Sequence, residues 1–224
     1  NAAPAQIHVR RKRETGDRVD LAFNEHWFAN REAHVFDLHF AHIDAVLLHD
    51  GLEPVSDIWS ITSENNGTVW VGTFGGGLFR LNKSGGIKQF KYEPDSIGLP
   101  DDNVLSLAND ANGKLWIATS SGVVIWHKGK FQAFENEQLT SKVVINLFPD
   151  AKGGMWLATQ AGLQHYTAEG NLETPDWTND LTDLRVMGIL HDSNDKPLIV
   201  TAKGINRADG VSVSKMFQDK TFLS

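Results

Sequence analysis

The sequence predicts an all-β fold, a β-propeller of four-stranded blades, and three observations carry that expectation. Seven tryptophans stand against two tyrosines, three of those tryptophans recur in one local pattern at intervals of 46 and 40 residues, and many of the twenty glycines keep constant offsets from them. Short β-rich runs repeating every forty-odd residues are the mark of radially arranged blades.

The pattern reads Thr68-Val69-Trp70-Val71-Gly72-Thr73, then Lys114-Leu115-Trp116-Ile117-Ala118-Thr119, then Gly154-Met155-Trp156-Leu157-Ala158-Thr159. A fourth copy, Pro197-Leu198-Ile199-Val200-Thr201, has leucine in place of tryptophan. Six residues before the aromatic position stands an acid: Glu64, Asp110, Asp150 and Asp192. Three before it stands a turn residue, Gly67, Gly113, Gly153 or Asp195. Three after it comes Thr73, Thr119, Thr159 or Thr201, and three further on Gly76, Gly122, Gly162 or Gly204. Apolar pairs precede each copy: Ile58 with Ile61, Val104 with Leu107, Val144 with Leu147, and Val186 with Ile189.

Each column has a structural reading. The apolar pair and the tryptophan run are the first two strands of a blade, joined at Asn66-Gly67 or Asn112-Gly113, the chemistry of a tight hairpin in which both turn residues take φ > 0. The upstream acid is suited to accept hydrogen bonds from turn amides. The later glycine turns the chain into a third strand (Gly77 to Leu81, Gly122 to Trp126). A fourth is expected near Lys88 to Tyr92, Phe131 to Phe134 and Val211 to Phe217. Trp70, Trp116 and Trp156 then fill the space between neighbouring blades, where a large flat side chain buries the most area. Together with Thr73, Thr119, Thr159 and Thr201 they are structural repeat positions, not reactive groups.

The blades span approximately 56–92, 102–134, 142–177 and 184–217, within a propeller region 36–224 that follows a leading segment 1–35. At about 42 residues per blade, 224 residues amount to about five blades' worth, with four recognisable. The last residues, 216–224, read like the approach to a further repeat, so the chain is expected to be part of a larger propeller. It would close with help from residues 17–50 or complete itself as a homo-oligomer, since an open array leaves strand edges.

Composition removes several classes of function. The net charge of −7 argues against a nucleic-acid partner. The absence of cysteine excludes disulfides, thiolate metal sites and cysteine nucleophiles. No apolar run reaches the roughly 18–20 residues of a membrane span. The first twenty residues carry +2 (Arg10, Arg11, Lys12, Arg13 and Arg18 against Glu14, Asp17 and Asp20) and the remainder −9, which is read as a solvated arm or edge strand. Six of nine histidines lie in the first fifty residues, at 8, 26, 34, 39, 42 and 49. The His39-x-x-His42 spacing does not put both rings on one strand face, and no metal site is expected even with Asp37 and Asp44 nearby.

The string Asn66-Gly67-Thr68-Val69-Trp70-Val71-Gly72-Thr73-Phe74-Gly75-Gly76-Gly77-Leu78-Phe79-Arg80 resembles the two-component regulator propeller repeat: an acidic turn, Gly-x-x-Trp-x-Gly-Thr, then Gly-Gly-Leu-x-Arg. Ala118 and Ala158 depart from it where glycine precedes the threonine. The stretch Phe40-Ala41-His42 through Asp50-Gly51-Leu52 is similar to the lead-in to such repeats, and the resemblance covers residues 36 to 217. It implies the extracytoplasmic, periplasmic sensor region of a bacterial membrane signalling protein. A membrane helix and a histidine kinase or diguanylate cyclase output module would follow, membrane attachment coming only through that missing segment. It also implies a small-molecule ligand, such as a carbohydrate fragment, and no cofactor.

Enzymatic readings find less support. There is no Gly-x-Ser-x-Gly elbow, Ser120-Ser121-Gly122 reads as a blade turn, and Gly75-Gly76-Gly77 runs strand to strand, not into a phosphate-binding helix. The alternative is an enzyme similar to the streptogramin-type propeller lyases, whose repeats also run Trp-x-x-Thr; it would use His191 beside Asp192. A third reading is a protein-interaction scaffold. For binding, the informative positions are those that vary beside an unvarying framework: Asp57 and Trp59, Asn103 and Leu105, Val143 and Ile145, Arg185 and Met187. Trp59 offers an aromatic platform and Arg185 a forked donor, with Asp57 and Asn103 as polar neighbours, a set that suits a sugar or a carboxylate.

Overall fold

The computed structural model describes residues 7–12, 18–23, 43–47, 57–84, 86–150, 152–191, 196–209 and 211–218. Four blades follow in chain order. The first comprises β4 (Ile58–Ser63), β5 (Val69–Thr73), β6 (Leu78–Leu81) and β7 (Ile87–Phe90), preceded by β1 (Ile7–Lys12), β2 (Arg18–Phe23) and β3 (Ile43–Leu47). The second comprises β8 (Val104–Asn109), β9 (Leu115–Thr119), β10 (Gly122–His127) and β11 (Lys130–Ala133). The third comprises β12 (Val144–Pro149), β13 (Met155–Thr159), β14 (Gly162–Tyr166) and β15 (Leu172–Glu173), and the fourth β16 (Val186–His191), β17 (Pro197–Thr201), β18 (Gly204–Ala208) and β19 (Val213–Gln218). Within each blade the strands pair antiparallel in sequence order. The first sheet also takes in the order β2-β1-β3, joined to β4 through the pair Ile43 and Ile58.

The first strand of each blade is the inner one. Ser60 Oγ accepts from the Leu107 N–H at 2.9 Å, and Ser106 Oγ accepts from the Leu147 N–H at 3.2 Å, so β4, β8 and β12 stand side by side. Asn109 Nδ2 adds a donor to Thr62 Oγ1 at 2.9 Å across the first of these seams.

Period-two alternation along each second strand sorts its side chains between two neighbours. Leu115 and Ile117 of β9 face back and pack with Trp70, Leu78, Val104, Leu107, Val124 and Trp126. Trp116 and Ala118 face forward and pack with Val144, Leu147, Met155 and Leu157. Trp156 and Ala158 do the same against Val186, Ile199 and Ala208. Trp70 and Trp116 are fully buried. Blade three has an outer strand of only two residues, and the turn at Asp176–Asp180 supplies Trp177, whose ring lies 5.8 Å from Trp156.

Two turn expectations need correction. Asn66-Gly67 and Asn112-Gly113 are not two-residue turns with both residues at φ > 0; only Gly67 (φ 85) and Gly113 (φ 73) are left-handed. The Glu64 N–H bonds to the Thr68 carbonyl and the Gly67 N–H to the Glu64 carbonyl, which gives a three-residue loop closed by a left-handed glycine. The acid column explains the longer loop: Asp110 Oδ1 accepts from the N–H groups of both Asn112 and Lys114, at 2.8 and 2.9 Å. The two-residue form occurs instead at Lys128-Gly129 (φ 49 and 82), between the paired His127 and Lys130. Second, the counterpart of Gly122 (φ 133) and Gly162 (φ 116) in blade one is Gly77 (φ 78), not Gly76, because the first copy carries one more residue in this turn. A Cβ on Gly77 would lie 2.2 Å from the Phe90 carbonyl oxygen.

The threonine column closes these turns. Thr73 Oγ1 donates to the Gly77 carbonyl (2.8 Å), Thr119 to Gly122 (2.8 Å), Thr159 to Gly162 (2.9 Å) and Thr201 to Gly204 (3.1 Å). Thr119, Thr159 and Thr201 also accept the N–H of Ser121, Ala161 and Lys203.

Trp116→Ala is expected to lower stability by about 3–5 kcal/mol, the range for emptying a buried aromatic site. Trp59→Ala, at an exposed position, should change it by less than about 1 kcal/mol. Urea midpoints of the two variants check both values.

Candidate functional site

The same end of every blade carries a repeated lip. The residue just before the inner strand offers its carbonyl to the residue just after the threonine: Asp57 to the Phe74 N–H (3.0 Å), Asn103 to Ser120 (3.2 Å), Val143 to Gln160 (2.9 Å) and Arg185 to Ala202 (3.1 Å). Each inner strand then carries a β-bulge, at Trp59, Leu105, Ile145 and Met187, where the register against the second strand slips by one residue. A bulged residue is released from the alternation that sends its neighbours into one inter-blade face or the other. These four side chains are therefore spared from the seams.

The chain reaches each of the last three lips through a local side-chain turn. Asp101 Oδ1 accepts from the Asn103 N–H (2.7 Å), Ser141 Oγ from Val143 (3.2 Å) and Asp183 Oδ1 from Arg185 (2.8 Å). The acids also reach across the lip, Asp101 Oδ2 accepting from Ser121 Oγ at 3.0 Å and Asp183 lying 3.5 Å from Lys203 Nζ. Burial works against the charged form of Asp101. The Asn103 N–H and the Ser120 and Ser121 hydroxyls outweigh it and hold the carboxyl below its ordinary value. The hydrogen bond from the Arg185 side chain does the same for Asp183, with the Arg185 and Lys203 charges adding to it.

Blade one differs from the others. Trp59 is 42% exposed and stacks on Phe74, itself 49% exposed, with ring centroids 5.3 Å apart and planes 25° from parallel. Asp57, directly before this strand, holds φ 72, a left-handed conformation that costs energy for a residue with a Cβ. Of the residues singled out from sequence, Asp57 and Trp59 thus share one lip, Asn103 sits on the next with its amide donating to Ser120 Oγ (3.3 Å), and Arg185 occupies the fourth. Phe74, Asp183 and Lys203 join the lips although the sequence reading does not single them out. Phe74 is reachable by the criterion that finds Trp59, because the residue after the threonine also varies: Phe74, Ser120, Gln160, Ala202.

Trp70, Trp116 and Trp156 lie in the seams, away from the lips, and the four threonines close the turns directly beneath the lips. The acid column holds the buried indoles: Glu64 Oε1 accepts from Trp70 Nε1 at 2.7 Å and Asp110 Oδ2 from Trp116 Nε1 at 3.2 Å. In blade three Asp150 Oδ2 instead meets His165 Nε2 at 2.9 Å, and that ring stacks on Trp156 at 4.1 Å. This histidine–acid pair belongs to the hairpin at the far end of its blade. The side chains of His191 and Asp192, which a lyase would use, lie outside the described residues. So do those of His8, His26, His34, Asp37, His39, His42, Asp44, His49 and the basic residues of the first twenty. Among the described residues no cluster of three or more histidine, aspartate or glutamate side chains is placed to hold a metal ion.

Radial blades, inner strands abreast and large aromatic rings in the seams define a β-propeller. The family model of the two component regulator propeller matches residues 98–121, at the second copy of the repeat. No curated protein sequence matches the chain. Among solved structures, it is similar to the extracellular domain described as that of a hybrid two component system, BT3049, from B. thetaiotaomicron (TM-score 0.57, 19% identity, 74% of this chain and 25% of that one). The corresponding domain of BT4673 from the same organism covers 99% of this chain and 34% of its own length, at TM-score 0.62 and 14% identity. Virginiamycin B lyase from Staphylococcus aureus is also similar (TM-score 0.55, 17% identity, 74% of this chain and 56% of that one). The chain thus spans between a quarter and rather more than half of the length of these structures.

The lip acids make stability depend on pH in one direction. Carboxyls held below their unfolded value near 4 contribute fully above that pH, and the contribution drains as pH falls through the lower folded value. Asp183→Asn should therefore flatten the loss of stability below about pH 4, measured as urea midpoints at a series of pH values.

Proposed function

We propose that this chain is a ligand-binding propeller from the extracytoplasmic, periplasmic sensor region of a bacterial signalling protein, and that it binds a small molecule at the lips without chemistry of its own. The observation that carries this reading is the exposed Trp59–Phe74 stack beside the strained Asp57. The other tryptophans among the described residues are buried. Two large rings left facing water at one end of such a molecule form a preorganised plane for the face of a ring. A sugar presents such a face on its C–H side and hydroxyls at its edge, for which Asp57 and Asn103 supply acceptor and donor, so a carbohydrate fragment suits the lip.

Support for a sensing role comes from the match to the two component regulator repeat and the likeness to extracellular domains of two component systems. Signal output would belong to other parts of the protein, and no helix among the described residues is long and apolar enough to cross a membrane.

A saccharide that binds should shift and quench tryptophan emission, because Trp59 is the most exposed indole among the described residues. Trp59→Ala and Phe74→Ala should each weaken binding by about tenfold, the worth of one stacked ring, at unchanged urea midpoint. Binding that persists undiminished in both variants would overturn this assignment of the site.

A further inference from the structure

The lips are not electrically alike. Those of blades one and two carry Asp57 and Asp101, with Asp102 matched by Lys91 at 3.5 Å. That of blade four carries Arg185 and Lys203 on the carboxylate of Asp183. That carboxylate is turned inward: it is only 11% exposed, accepts from the Arg185 N–H and Nε, and lies 3.5 Å from Lys203 Nζ. Its two cationic partners face outward, the Arg185 side chain 63% exposed and that of Lys203 36%. Two cations on one buried acid leave a positive excess on the lip of a chain whose net charge is −7.

Resting on the reading that the lips bind the ligand, we propose that the lip of blade four is an anion subsite that takes a carboxylate of that ligand. Arg185 is held by Asp183 at one edge of its guanidinium, Nε at 3.1 Å and Nη2 at 3.5 Å, which fixes the plane of the fork and keeps it from collapsing onto the surface. A preorganised guanidinium loses little freedom on meeting a planar carboxylate. Lys203 Nζ lies 3.5 Å from Oδ2 of the same acid and provides a second charge. The half-buried Val143, Ile145 and Met187 line the adjoining lip positions with apolar surface, which weakens competition from water for a charge-assisted hydrogen bond. The ligand class is a carboxylate-bearing ring compound, a uronic-acid-containing saccharide being the form compatible with the aromatic lip.

Calorimetry with a panel of neutral tetrasaccharides and their uronate counterparts tests the subsite. The expected result is at least tenfold tighter binding of a uronate than of its neutral counterpart at low salt, a margin that shrinks at high salt. The double variant Arg185→Met with Lys203→Met should abolish the margin while leaving neutral binding intact. Equal affinity for both series, or a margin that survives the double variant, overturns the anion subsite alone if Trp59→Ala still weakens binding. A margin that depends on Arg185 and Lys203 but not on Trp59 overturns the aromatic assignment and keeps the subsite. Failure of every uronate to bind overturns the subsite.

Discussion

A four-stranded antiparallel sheet has two faces, and no α-helix among the described residues covers either. The rest of the structure depends on each blade burying its forward face in the next one. Trp70 and Trp116 are fully buried in those faces, and a buried indole needs a partner for its N–H. The acid six residues upstream is that partner, and it also shapes the turn. In Asp110 one oxygen holds the turn amides while the other takes the indole of Trp116. One carboxylate thus sets the hairpin and fixes the ring that seals the seam. In blade three the acid turns to His165, and the imidazole stacks flat on Trp156, so the charge and the aromatic plane stay coupled through a different side chain.

This arrangement separates the molecule into a frame and a set of ends. Seam residues repeat because each solves the same packing problem against a nearly identical neighbour. Lip residues are released by the bulge and by the turn after the threonine, so the packing of the seams does not set their size or charge. The aromatic stack of blade one, the amide of Asn103 and the cationic lip of blade four are different fittings on one bracket.

Much of the bracket is legible in the sequence. The columns of tryptophan, threonine, glycine and acid repeat because they answer to local geometry and to the adjacent blade, and both recur. Strand order and blade number follow from them. The turn at Asn66-Gly67 departs from its expected form because propensity describes an isolated hairpin, whereas here Asn66 Oδ1 takes the Thr68 N–H while Glu64 takes the Asn66 side chain, and in the next blade Asp110 takes the turn amides directly. Gly76 aligns in place of Gly77 because a fixed offset hides a one-residue insertion that only strand pairing reveals. The lip is visible as variation at Asp57, Trp59, Asn103 and Arg185, but Phe74 and Lys203 join it through contacts between segments 15 to 20 residues apart in the chain. Nothing in a single copy marks such a contact.

The bulge on every inner strand has a consequence for how such a protein diversifies. Residues 59, 105, 145 and 187 contribute little to the seams, so exchanging one of them leaves core volume and strand register as they were. The lip surface can then change by single substitutions, each tested by selection without first being rescued for folding. Repetition of the frame multiplies the number of positions at which this freedom exists. A lineage of such chains can vary its lips without drawing on the stability margin of the fold.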